Sequence, residues 1–183
     1  MDDGSMELTP LPLDGLVAFG FAEHRDERGS FTRIWDAAQL AHAGLKSDLA
    51  QSSVSWTPRQ GTLRGLHYQV PPHEETKLVT CVQGSIFDVA VDLRPRSPTF
   101  KRWHAERLDG ASLRSLYVPE GFAHGFLTLS DDVLVVYQIS GGYDSGSARG
   151  VRWNDPAFMI DWPSPPLIIS SRDQSFDDFR PDR

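Results

Sequence analysis

IFDVAVDL, residues 86–93, alternates with a period of two: Phe87, Val89, Val91 and Leu93 fall on one side, Asp88 and Asp92 on the other. Successive side chains of a β-strand point to opposite faces of a sheet, so this stretch predicts a strand. Similar apolar runs flank it at KLVTCV (77–82), SLYVP (115–119), GFLTL (125–129) and VLVVYQI (133–139). Turns of Gly, Pro, Asp and Ser recur about every ten residues, the punctuation of a β-sandwich or barrel. The exception is DAAQLAHAGL (36–45), expected to be one short helix with Asp36 as its N-cap. Asp88 and Asp92 form either a solvated face or the floor beneath a site, and alternation alone does not choose.

With 183 residues the chain is long enough to bury a core, and it is expected to form one domain over residues 1–183. Residues 1–14 then form an N-terminal segment and residues 163–183, proline-rich and then polar, a C-terminal arm along the barrel. The formal net charge of −7 argues against general affinity for nucleic acid or anionic membrane, both of which need a positive field. No apolar run is long enough to cross a bilayer, and MDDGSMELTP at the start is acidic where a signal peptide is basic. A cytoplasmic protein is expected. Cys81 is the single cysteine, which excludes an intrachain disulfide and a cysteine-built zinc site and suits a small buried group.

Two histidines interrupt the strands: His67 in TLRGLHYQ (62–69) and His124 in PEGFAHGF (119–126). The second stretch has the Pro-x-Gly-x-x-His form of a cupin motif. In the first, Gln69 occupies the place of a metal-binding cupin's second histidine, and Thr128 replaces the usual asparagine after His124. A transition metal needs three or four well-placed ligands. Only His67, His124 and Glu74 or Glu75 could supply them, so the frame is kept and the metal site weakened. His24, His42, His73 and His104 read as surface groups. Arg64 and His67 pose a separate difficulty, since strict alternation puts them on opposite faces. A bulge or twist at Gly65 would reconcile them.

Taken in order, GTLRGLHYQ (61–69), KLV (77–79), DVAVDLRPRSPTF (88–100), VPEGFAHGF (118–126), WNDPAFMIDWP (153–163) and IISSRDQS (168–175) resemble the dTDP-4-dehydrorhamnose 3,5-epimerase family. The resemblance runs from about Gly20 to Phe179 and implies an all-β cupin jelly roll with a few short helices. It also implies an isomerase that inverts C3, C5 or both in a nucleoside-diphosphate 4-keto-6-deoxyhexose. Such chemistry removes an acidic proton beside a ketone, holds the enolate and reprotonates the other face, with no metal or redox cofactor. By resemblance His67 is the base, oriented by Asp173; Tyr137 is the acid; Lys77 stands beside the developing oxyanion. Arg64 and His124 contact the substrate with Gln51, while Arg28 and Phe31 hold the nucleotide. The segment around Phe31 is expected to reach a partner's site, implying a homodimer. The chain departs from the family pattern at Arg33, Ser53, Glu75 and Thr76, so the nucleotide and sugar are less determined than the reaction. The rival classes are a metal-dependent cupin enzyme, which Gln69 disfavours, and a non-catalytic sugar-binding cupin, which the joint presence of His67, Tyr137, Lys77 and Asp173 disfavours.

Overall fold

The computed structural model describes residues 5–180, so Met1–Gly4 of the N-terminal segment and residues 181–183 of the expected arm lie outside the described residues. In chain order the elements are β1 (Met6–Pro10), β2 (Val17–Phe21), β3 (Glu23–Asp26), β4 (Gly29–Thr32), α1 (Ala37–His42), β5 (Gln51–Thr57), β6 (Thr62–Gln69), β7 (Lys77–Gln83) and β8 (Ser85–Asp92). They continue with β9 (Trp103–Asp109), β10 (Ser115–Val118), β11 (Phe122–Thr128), β12 (Val133–Ile139), β13 (Ala148–Gly150), β14 (Ile168–Ile169) and α2 (Ser171–Gln174). One sheet has the order β1-β2-β10-β7-β12-β5; the other runs β13-β6-β11-β8-β9, with β14 added in parallel to β6. Among the described residues all other pairings are antiparallel, and β3 pairs only with β4 in a separate hairpin. This is the all-β cupin architecture expected from the sequence. No helix among the described residues is long and apolar enough to cross a membrane.

The sheets face each other across a core that includes Val79, Cys81, Ile86, Ala90, Leu116, Phe122, Phe126 and Val135. The pleat therefore aims the even-numbered residues of β8 inward, Asp88 with them. Its more apolar face, with Val89, Val91 and Leu93, is the outer one. That face is not solvated, because Phe158 and the half-buried Trp103, Trp162 and Phe179 cover it. Both faces of the strand are buried. Asp92 is fully enclosed and tied down by Arg94 at 2.7 Å, by Thr99 Oγ1 at 2.7 Å and by Ser97 Oγ. It is a structural anchor, separate from the site.

The helix is shorter than the sequence suggests. Asp36 caps it as expected, its carboxylate accepting from the Ala38 and Gln39 amides. It stops at His42 because Gly44, at φ +74°, reverses the chain: the Leu45 amide donates to Leu40 O at 2.9 Å and the Gly44 amide to Ala41 O at 3.0 Å. Leu40 then packs with Phe19, Leu78 and Tyr117 on the outside of the first sheet.

Candidate active site

Between the sheets opens a cavity of about 630 Å³, lined by Gln51, Arg64, His67, Lys77, His124, Tyr137 and Asp173 among others. These come from both sheets and the C-terminal arm. β6 and β11 carry His67 and His124, which are register partners; β7 and β12 carry Lys77 and Tyr137. Lys77 and Tyr137 point inward because they share the pleat with the core residues Val79 and Val135.

Arg64 and His67 do share the cavity, and the register explains how. From His67 to Arg64 is three residues on β6, whereas their partners His124 and Phe126 are two apart on β11. The extra residue on β6 is a bulge, and it reverses the parity of every side chain beyond it. Gly65 permits it: φ is +133°, and a Cβ there would lie 2.6 Å from Gly125 Cα and 3.0 Å from His124 O. Only hydrogen fits between these two backbones.

The arm delivers the partner of His67. Ser170 caps α2 through the Asp173 amide, and Asp173 turns its carboxylate inward. Its Oδ1 lies 2.7 Å from His67 Nε2, and its Oδ2 accepts the Gly65 amide at 3.1 Å. Burial would raise the Asp173 carboxyl, but the His67 hydrogen bond and charge, with the Gly65 amide and Ser170, outweigh it and hold the group below the usual carboxylate range. His67 keeps 40% of its side chain exposed toward the cavity, while Asp173 keeps 6%.

A second imidazole–carboxylate pair lies deeper. His124 Nε2 is 2.8 Å from Asp88 Oδ1, and both side chains are buried. Burial pushes the Asp88 carboxyl up despite His124 and Lys77. Asp88 is therefore part of the floor under the site. The ring of Tyr137 meets that of His124 edge-on, with centroids 6.3 Å apart. Burial drives the Tyr137 phenol well above its ordinary value, the Ser55 hydroxyl offsetting only part of this. Tyr137 thus stays protonated, able to donate. Lys77 Nζ donates to His67 O at 3.2 Å and pairs with Glu75 Oε1 at 3.1 Å.

Gln69 holds the cavity wall. Its two Nε2 hydrogens are shared among Glu75 Oε2 at 2.9 Å, His73 O at 2.9 Å and Gly142 O at 3.1 Å, while its Oε1 accepts the Asp144 amide at 2.8 Å. Gln51 reinforces the same segment by donating to Gly141 O at 2.7 Å. Thr128 staples the chain elsewhere, between Arg59 O and the Thr62 amide. As for a metal, the Nε2 of each imidazole already faces a carboxylate, and among the described residues no three His, Cys, Asp or Glu side chains gather as a ligand set. Glu75 reaches the cavity and Glu74 does not.

Two sequence-derived candidates lie elsewhere. Arg28 and Phe31 sit on the β3–β4 hairpin outside the cavity, Arg28 paired with Asp26 and Phe31 68% exposed. Of the remaining histidines, His24, His42 and His73 are exposed, but His104 is half-buried and bound to Glu106 at 2.7 Å. Cys81 is fully buried and its thiol is pushed up to about 11, as burial requires. Arg33 pairs with Asp36 at 3.1 Å. Sequence reasoning missed Arg172 and Tyr143 as lining residues. Arg172 could have been found from its place beside Asp173, whereas nothing local marks Tyr143.

Residues 10–180 match the family model described as dTDP-4-dehydrorhamnose 3,5-epimerase. The chain belongs to this family. The epimerase is therefore an isomerase, and its relatives are similar over most of their lengths. The dTDP-4-dehydrorhamnose 3,5-epimerase of Mycolicibacterium smegmatis is 44% identical over 172 residues, 93% of this chain and 79% of the relative. The dTDP-4-dehydrorhamnose 3-epimerase of Streptomyces niveus is 41% identical over 170 residues, 92% of this chain and 82% of the relative. Among solved structures, the dTDP-4-dehydrorhamnose 3,5-epimerase of Bacillus anthracis str. Ames, with TDP and PPi bound, superposes on the epimerase with a TM-score of 0.92. It is 36% identical and covers 96% of this chain and 100% of its own.

Proposed function

We propose that the protein inverts C3, C5 or both in a dTDP-linked 4-keto-6-deoxyhexose by enolisation, with His67 as base and Tyr137 as acid. One observation carries the reading: the His67–Asp173 pair comes from one sheet and the arm, while the Tyr137 phenol comes from the opposite sheet, and both enter a single cavity. A sugar between them offers one face to the base and the other to the acid, which is what inversion requires. His67 removes the proton beside the ketone, and Asp173 steadies the imidazolium. The enolate oxygen lies toward Lys77, a positioned donor of a kind typically worth about 10²–10³ in rate. Tyr137 then gives its proton to the far face. Arg64 and Arg172, both on the cavity wall, suit the diphosphate through charge-assisted bonds. The structure of the Legionella pneumophila relative, in complex with dTDP-4-keto-L-rhamnose, supports a nucleotide sugar of this kind as substrate.

Solvent exchange tests the assignment. In heavy water the substrate takes up deuterium at each carbon processed, read by proton NMR. His67→Asn should abolish both uptake and inversion while keeping nucleotide affinity, since Arg64 is untouched. Tyr137→Phe should depress inversion more than uptake, because His67 still removes a proton and, once that proton has exchanged with solvent, returns a deuteron to the same face. Normal uptake in the His67 variant would refute the base.

The reading includes a homodimer. Among the described residues the β3–β4 hairpin pairs with no other strand and presents Phe31 to solvent, and Val54 and Trp56 lie exposed on the sheet-edge strand β5. A hairpin completing the neighbour's nucleotide pocket would use all three features. Phe31→Ala should then raise KM more than it lowers kcat. A fully active monomer in sedimentation would dismiss the arrangement.

A further inference from the structure

Glu75 has no task in the reaction as drawn above, yet it is a carboxylate on the wall of the cavity with only 10% of its side chain exposed. Two groups hold it rigidly: Lys77 Nζ at 3.1 Å from Oε1 and Gln69 Nε2 at 2.9 Å from Oε2. Gln69 in turn is fixed by His73 O, Gly142 O and the Asp144 amide, so the carboxylate is not free to swing away. An ionised carboxylate offers about four acceptor positions, and these contacts use one on each oxygen. One position stays open on each oxygen, and that on Oε1 lies beside Lys77.

We infer that Glu75 is a specificity-determining residue that accepts a hydrogen bond from the sugar hydroxyl on the carbon next to the ketone. The inference rests on the functional reading above, in which the ketone oxygen faces Lys77. Donor Nζ and acceptor Oε1 are neighbours, with a separation like that of oxygens on adjacent sugar carbons. A carbonyl oxygen needs a donor and its vicinal hydroxyl needs an acceptor, and this pair supplies both in order. Lys77 alone would accept any ketone. Glu75 selects ketones that carry a hydroxyl alongside, because without one the second acceptor position of Oε1 is stripped of water and left unpaired.

The test compares a dTDP-4-keto-6-deoxyhexose with its 3-deoxy counterpart, reading deuterium uptake at C5 in both. Glu75→Gln keeps the shape and removes the charge, and charge-assisted bonds are roughly twice as strong as neutral ones. The expected result is a loss of kcat/KM about tenfold greater on the hydroxylated sugar than on the 3-deoxy sugar. Glu75→Ala, with unchanged dTDP affinity by calorimetry as the check on its fold, must show the same excess. Equal losses on the two sugars in both variants would overturn the inference and leave Glu75 a support for Lys77. No uptake from either sugar by the unaltered protein would overturn the functional reading itself, and this inference with it.

Discussion

Replacing Gly65 with alanine puts the bulge that builds the site to a quantitative test. Two costs arise at this position. A side chain at φ +133° is in a region of backbone space that costs about 1–3 kcal/mol outside glycine. The new methyl would also lie 2.6 Å from Gly125 Cα and 3.0 Å from His124 O, both backbone atoms of a central strand, and overpacking of this kind costs about 1–3 kcal/mol. Together they amount to about 4 kcal/mol. For a chain of this size each kcal/mol moves the midpoint by about 2–4 °C, so the thermal midpoint should fall by roughly 10 °C. Circular dichroism melts measure it, with Gly142→Ala as the control because no atom lies within 4 Å of its added Cβ. That control should stay within about 0.5 kcal/mol of the parent. Deuterium uptake below the melt gives a second readout, since straightening β6 would turn Arg64 and His67 to opposite faces. A Gly65→Ala protein with parental midpoint and parental uptake would refute the bulge argument.

Other expectations follow from the buried carboxylates and the cavity. Asp173→Asn should reduce turnover by about 10²–10⁴, because the amide cannot hold the same imidazole tautomer or steady its cation. The folded Asp173 carboxyl lies below its ordinary value, so its stabilising contribution is complete above the unfolded pKa of about 3.9 and is lost as pH falls through the lower folded value. Acid unfolding curves of Asp173→Asn should accordingly lack part of that limb. Asp92→Asn should destabilise the fold by about 2–3 kcal/mol in urea titrations without altering KM, since it breaks a buried pair whose Arg94 partner still reaches solvent. Chelator treatment should leave turnover unchanged and metal analysis should find well under one transition metal per chain; stoichiometric metal with chelator-sensitive activity would defeat the mechanism.

Much of this molecule is legible in one dimension. Period-two alternation is a local steric property of extended chain, so the strands and the sandwich could be read directly, as could the Asp36 cap. Ordered motifs placed His67, Lys77, His124, Tyr137 and Asp173 in one family pattern. Alternation reports parity, however, and says nothing about which face looks inward. The apolar side of IFDVAVDL turned out to be the outer one, covered by Trp103, Trp162 and Phe158, while Asp88 went to the floor of the cavity. That choice depends on what packs against each face, which is long-range information. The same holds for His67 and Asp173, 106 residues apart and joined only because β14 adds to β6 and aims α2 at the imidazole. Gly65 lies between the two cases: its sequence permits a bulge, but the approach of Gly125 decides that one forms and that Arg64 and His67 face the same cavity.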